Sequence, residues 1–572
     1  MLMKRFASVD FMRGLAIFLM LVLHMIMHTL NVDALISQLQ NVRFLEFVFM
    51  VILPFGGGMA GFFLMVSATG NAISMENTLK RDLSPLALAR RQVTGGLILL
   101  FFAMLVEGLI GYHGDLGVFI HQSLKAASDP ALGPVQWNWD RALWRFNHFE
   151  TIHTIAWCII INGIVHAYLV SKKKYRDRRR LIRIYLLLAL AVLILTPLVW
   201  GAADLIIPAY PAQEGSYVAS YPRIGEDPFL RFVLVFFLQP LAGHPEPLFP
   251  YLAVSFIGTV FGIFLTMPEE KRRPWKFVPA VLRGGIIAYG VGLAGLLVNV
   301  LVVVLNRGFE AGLDLYIHIW DHRGWTAGLL GAPAAGWLFQ FLVLNAFSVL
   351  LIACMIRLVE MRGRAAEFAA RTRFIRRFGF VAFTNYTLQY IYFFAMFISL
   401  DLVFGIPYAR RAGLWGATLL TICIGIGMYS LLLFLWEKIR YAGSLEWLLK
   451  QCNYFLNPVR RKHLNARGVP GYRAGLLNVK SSFYDAEWVN IRDRNNIDHA
   501  CREESRLARK LGLAGFVFPP FAITGYVIAR RAAAEEGGTP QHRKALRTCT
   551  ASLLFFLAWL VLFALLKPAM FL

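Results

Sequence analysis

Four ionisable side chains, Asp10, Arg13, His24 and His28, stand in the stretch SVDFMRGLAIFLMLVLHMIMH (residues 8–28), which is otherwise built for lipid. At about 100° per residue the eleven positions from Arg13 to His24 make three turns plus about 20°, and Asp10 and His28 each fall near 60° from Arg13. A single helical face therefore carries all four, spread over about 27 Å of axis. Arg13, with Lys4 and Arg5, also suits a membrane interface, and Asp10, following Ser8, also suits a helix cap. His24 is different. It lies about 16 Å along the axis from Arg13, inside the hydrocarbon, where an ionisable group is costly and ordinarily faces a cavity or a proton path. The imidazole is the side chain whose unperturbed pKa lets it exchange a proton near neutral pH.

The elements that must position these groups are apolar helices. Of 572 residues 58% are hydrophobic and only 16% charged, against about a quarter charged in soluble domains, which is membrane composition. The net charge of +24 is concentrated in short segments between apolar runs, such as SKKKYRDRRR (171–180) and MRGRAAEFAARTRFIRR (361–377). That placement is the cytoplasmic-loop bias of polytopic proteins and argues against nucleic acid as a partner. Runs long enough to cross a bilayer begin near residues 11, 44, 93, 149, 181, 248, 281, 334, 378, 412 and 549. The run at 229–243 is too short to cross and reads as re-entrant. The run at 511–531 is broken by Pro519 and Pro520 and reads as a hairpin.

The predicted fold is thus an all-α polytopic transmembrane bundle, about ten core spans plus a short C-terminal two-helix module, with the membrane lipids as its surroundings. The divisions are a core over 1–457, a basic linker over 458–510 and the C-terminal module over 511–572. Basic segments place the N-terminus in the cytoplasm of a plasma or inner membrane and the His-bearing loops near 113–148, 202–228 and 306–332 outside. The six cysteines show no disulfide or metal spacing, and no metal is expected.

Four blocks carry a family resemblance. SVDFMRGLAIFLMLVLH resembles the opening of transmembrane acyltransferases, whose first span reads D-x-x-R-G-x-A with a His eleven residues after the Arg. Polysaccharide O-acetyltransferases and heparan-α-glucosaminide N-acetyltransferase-like proteins share related openings. LFPYLAVSFIGTVFG (248–262), VAFTNYTLQYIYF (381–393) and YAGSLEWLLK (441–450) resemble successive segments of a bacterial branch known as a domain of unknown function. The resemblance covers about residues 5–457. Ser444 stands where that branch has Pro, Ala68 stands where related acyltransferases have Gly, and the His-Ala-Ser-Trp-Asn stretch of the heparan enzyme has no match, so that activity is not carried over.

The resemblance implies transfer of an acetyl or other short acyl group from cytosolic acetyl-CoA, or another acyl-CoA, to a hydroxyl or amine of a glycan or lipid-linked acceptor outside. His24 is then the general base or a covalent acyl carrier, two roles the sequence leaves open. Arg13 steadies negative charge or orients Asp10. The polyanionic CoA suits the basic mouth formed by Arg13, Lys80, Arg81, Arg90 and Arg91. Ser67, Asn385 and Gln389 are candidates to line the path, and His28, His148 and His153 to meet the acceptor. A proton-coupled or anion transporter uses the same intramembrane His and Arg, and a non-catalytic scaffold of envelope assembly is the third class.

Overall fold

The structure is a computed structural model of the whole chain. It describes residues 4–29, 59–80, 84–110, 151–172, 177–206, 225–243, 246–268, 272, 274–317, 336–389, 415–456, 477–491, 497–516, 519–536 and 538–566, with scattered positions in 116–139. These residues are almost entirely helical, as hydrocarbon requires of a backbone that must satisfy its own hydrogen bonds.

A two-residue strand β1 (Lys4–Arg5) leads into α1 (Ala7–Thr29), followed by α2 (Met59–Leu79) and α3 (Pro85–Ile110). Then come α4 (Thr151–Ser171), α5 (Arg178–Ile206), the short α6 (Phe229–Ala242), α7 (Leu248–Thr266), α8 (Pro274–Arg307) and α9 (Phe309–Ile317). The chain continues through α10 (Gly336–Val359), α11 (Ala365–Arg371), α12 (Arg373–Phe380), α13 (Ala382–Thr387), α14 (Trp415–Lys438) and α15 (Leu445–Leu456). A π-helical turn, Lys480–Tyr484, precedes β2 (Glu487–Trp488), and α16 (Ile497–Ala514), α17 (Pro519–Glu536) and α18 (Pro540–Leu566) close the chain. Among the described residues eight helices, α1, α3, α4, α5, α7, α8, α10 and α14, are long and apolar enough to cross a membrane. The apolar run expected from residue 44 lies outside the described residues up to Met59.

The most buried span is α7, wrapped by α2, α4 and α5. Its closeness to α2 rests on glycine. A Cβ on Gly258 would stand 2.4 Å from the Met65 carbonyl, and one on Gly262 would stand 2.5 Å from Ala72 Cβ. Ala68 faces Gly258 across this contact, its Cβ 2.8 Å from the Cβ position of that glycine. α1 lies between α2, α10, α12 and α14.

The C-terminal region gathers three helices. The two expected beyond residue 511 are joined by α16, which runs through the boundary drawn at 510. The stretch 477–491, within the expected linker, folds back onto the N-terminus: β2 pairs in parallel with β1, and Val489 N–H donates to the Arg5 carbonyl at 2.9 Å.

Candidate functional site

The site is built on the crossing of α1 and α12. A Cβ at Gly14 would lie 2.1 Å from the Ile375 carbonyl oxygen, and one at Gly379 would lie 2.4 Å from the Gly14 nitrogen. Two backbones therefore touch where each helix carries glycine, and a side chain on either would wedge them apart. That contact sets the α12–α13 segment alongside α1. Phe18 packs edge-on against Phe378 at 5.3 Å between ring centres and finishes the seam.

Ten residues beyond Gly14, His24 reaches that segment. Its Nδ1 lies 2.8 Å from Gln389 Oε1. An amide oxygen only accepts, so with Oε1 facing the ring Nδ1 donates, and in the neutral imidazole the lone pair is then on Nε2. Gln389 is fully buried, and among the described residues its Nε2 has no hydrogen-bond partner. Asn385, one turn earlier, donates through Nδ2 to the Phe378 carbonyl at 3.0 Å and leaves Oδ1 buried without a partner in the same set. Two buried amide atoms on the segment that meets His24, one turn apart, thus have no hydrogen-bond partner among the described residues, a condition that suits a polar guest.

The other end of the α1 face is an ion-pair cluster. Asp10 accepts from Arg5 Nε at 2.8 Å and lies 3.7 Å from Arg13. It is not the helix cap that its position after Ser8 allows. α1 begins at Ala7, which puts Asp10 inside the first turn; its carboxylate pairs with Arg5 and Arg13, and the Ser8 amide donates to Glu360 Oε1 at 2.9 Å. Glu360 is wholly buried, and burial, with Asp10 adding to it, pushes its pKa up to about 7. Arg376, 2% exposed, donates to the carbonyls of Ser482 and Ala369 and faces the Trp488 ring at 4.9 Å. Its own pKa is lowered to about 10, first by burial.

Glu446, in the LEW block of α15, fixes the start of α13. It accepts from the amides of Phe383 at 2.7 Å and Thr384 at 3.4 Å and from the Thr384 hydroxyl, and it lies in the electrostatic field of Arg13. A carboxylate at a helix N-terminus satisfies amides that no helical carbonyl can reach. Burial holds its pKa above the ordinary value despite these bonds.

Lys80 donates to the Thr266 carbonyl at the end of α7 at 2.8 Å, so it closes that helix terminus. Arg90 and Arg91 are exposed in the first turns of α3, and Arg81 lies outside the described residues. Ser67 is half-buried on α2, which packs on α1. His153 is buried at the start of α4 between Thr151 and Thr154, whose hydroxyls donate to the side chain and backbone of Glu246. His148 and the side chain of His28 lie outside the described residues.

A second buried charge group lies elsewhere. Glu76 pairs with Arg178 at 2.8 Å and with His166 Nε2 at 3.2 Å, and His166 Nδ1 meets the Tyr185 hydroxyl at 3.2 Å. Sequence reasoning missed Glu76, Glu360, Arg376 and the two crossing glycines. Gly14 was visible only as part of a motif, and nothing in the sequence says which glycine touches backbone. Comparison of the chain with family models, with curated proteins and with solved structures found no match.

Proposed function

We propose that the protein is a membrane acyltransferase that moves an acetyl or other short acyl group from acyl-CoA to a hydroxyl or amine, with His24 as the base. The observation that carries this reading is the His24–Gln389 contact, which orients the imidazole in the bundle against a segment whose Gln389 and Asn385 each keep an amide atom without a partner among the described residues. In the direct reaction the acceptor O–H or N–H gives its proton to His24 Nε2 as the oxygen or nitrogen attacks the thioester carbonyl. The C–S bond then breaks, and the departing thiolate takes the proton back from the imidazolium. In the covalent alternative, Nε2 attacks the thioester carbonyl, the C–S bond breaks to release the CoA thiolate, and the acyl-imidazole persists until the acceptor O–H or N–H attacks it, breaking the N–acyl bond and giving its proton up to the thiolate. Arg13 lies about 16 Å back along the helix, with Asp10, at the end where the N-terminal basic residues collect. There it would steady the anionic part of the donor.

Purified protein in detergent, given labelled acetyl-CoA and candidate acceptors, tests this. His24→Ala should abolish thioester consumption, and Gln389→Leu should lower it on the order of 100-fold by releasing the tautomer while leaving the bundle folded. Label trapped on protein in the absence of acceptor, and lost in His24→Ala, distinguishes the covalent route. A Gln389→Leu protein with full turnover refutes the assigned role of the amide.

A proton-coupled carrier is the second reading, and the buried Glu76–His166–Tyr185 string with Arg178 favours it. Solute flux in vesicles that depends on Glu76, without thioester turnover, decides for the carrier.

A further inference from the structure

We infer that the C-terminal helices form a shallow membrane wedge with a basic collar that binds anionic phospholipid on the side of the bilayer where the N-terminus lies. α16 and α17 are antiparallel and meet at small residues: a Cβ on Gly515 would stand 2.4 Å from Ala522 Cβ, and one on Gly525 would stand 2.7 Å from the Ala508 carbonyl. The turn between them is the tip of a hairpin. α18 leans on both, with Cys549 Sγ 2.8 Å from the Cβ position of Gly512 and 2.9 Å from that of Gly525.

The tip is apolar and its outward side chains are exposed. Leu513 and Ile523 each show 54% of their surface, with Phe516 and Val527 beside them. Its depth is marked by the neighbouring span, because the Phe521 ring packs on Tyr289 of α8 at 5.8 Å. Tyr289 lies six residues, about 9 Å, beyond the exposed Arg283, and the first strongly exposed apolar side chain of that stretch, Ile287, lies between them. The first helix of the hairpin carries the same spacing, and the second a longer one. Arg509 and Lys510 are five to six residues, about 8–9 Å, from the turn at Gly515, and Arg530 and Arg531 are about 14 Å along α17 from Phe521. All four are exposed, as are Arg506, Arg543, Lys544 and Arg547, while the carboxylates of α16 and α17 stand in sequence farther from the tip, Asp498, Glu503 and Glu504 at least eleven residues before Gly515 and Glu535 and Glu536 at least fourteen after Phe521.

An exposed apolar tip with bases about 8–9 Å back on one helix and about 14 Å back on the other suits an interfacial element, and exposed cations flanking such a tip meet lipid phosphates. This inference is independent of the transfer chemistry at His24.

The test uses the full-length protein in neutral detergent, titrated with phosphatidylglycerol, phosphatidylcholine or inorganic phosphate, with bound lipid counted by native mass spectrometry. Phosphatidylglycerol should bind and phosphatidylcholine should not. The combined variant Arg509→Gln, Lys510→Gln, Arg530→Gln, Arg531→Gln should weaken that binding by about fivefold per base removed. Equal binding by variant and parent overturns the proposal, and so does competition by inorganic phosphate at equal concentration, which would make this an ion site. A second measurement stands if the variant fails to fold. A photocrosslinking phenylalanine analogue at Phe516, in the otherwise unaltered protein in native membranes, should form adducts with acyl chains. Adducts to another protein in place of lipid refute the wedge.

Discussion

Replacing Gly14 by alanine tests the frame of the site with the smallest possible change. The added Cβ would lie 2.1 Å from the Ile375 carbonyl oxygen, where ordinary contact begins at 3.4 Å, so α1 and α12 must part by roughly 1.3 Å. A shift of that size carried to His24 stretches its 2.8 Å contact with Gln389 to about 4 Å, beyond hydrogen-bonding range. Two energies oppose each other. Alanine favours the helix by about 1 kcal/mol over glycine, while overpacking costs about 1–3 kcal/mol, and a clash with backbone, which cannot rotate away, sits at the upper end. The clash wins by about 2 kcal/mol. Gly70, on α2, has nothing within 4 Å of its Cβ position, and Gly70→Ala should keep or raise stability. Thermal unfolding in detergent and thioester turnover, measured on both variants, should separate them: Gly14→Ala melts lower and loses most of its turnover, and Gly70→Ala does neither. A Gly14→Ala protein that melts and turns over like the parent would refute the claim that backbone contact positions His24.

Two further outcomes are expected. Glu360 has a folded pKa of about 7 against an ordinary 4.5, so the folded state holds its proton more tightly and stability falls as pH rises from about 4.5 to 7, then levels off. Glu360→Gln keeps the acceptor for the Ser8 amide and removes this slope, a difference of about 3 kcal/mol at most above pH 7, read from melting curves across pH. A parent and variant with parallel pH curves would contradict the burial argument. Glu446→Ala leaves the Phe383 and Thr384 amides and the Thr384 hydroxyl without their acceptor. Bonds to a charged group are worth about 1.5–3 kcal/mol each, so hydrogen exchange at residues 382–387 should rise and turnover should fall with it. Unchanged protection there would show that the carboxylate does not hold α13.

The all-helical membrane class was legible in composition, because hydrocarbon admits only backbone that satisfies itself and long apolar runs have few other uses. The common face of Asp10, Arg13 and His24 was legible too, since it follows from helix period alone. Asn385 and Gln389 could be listed as polar residues in an apolar run, but not matched to His24, which is 365 residues from Gln389 in sequence.

Contacts across the bundle depend on which helices become neighbours and at what rotation, and local periodicity carries neither. So the tertiary structure alone decided that Gly14 meets Gly379, that Glu360 and not Asp10 receives the Ser8 amide in the first turn of α1, and that residues 477–491 return to the N-terminus. The sequence by itself determined the solvent in which this chain lives and the side chains able to do chemistry there. Packing decided which of them meet, because a hydrogen bond requires two groups within about 3 Å, and only the folded bundle brings distant helices that close.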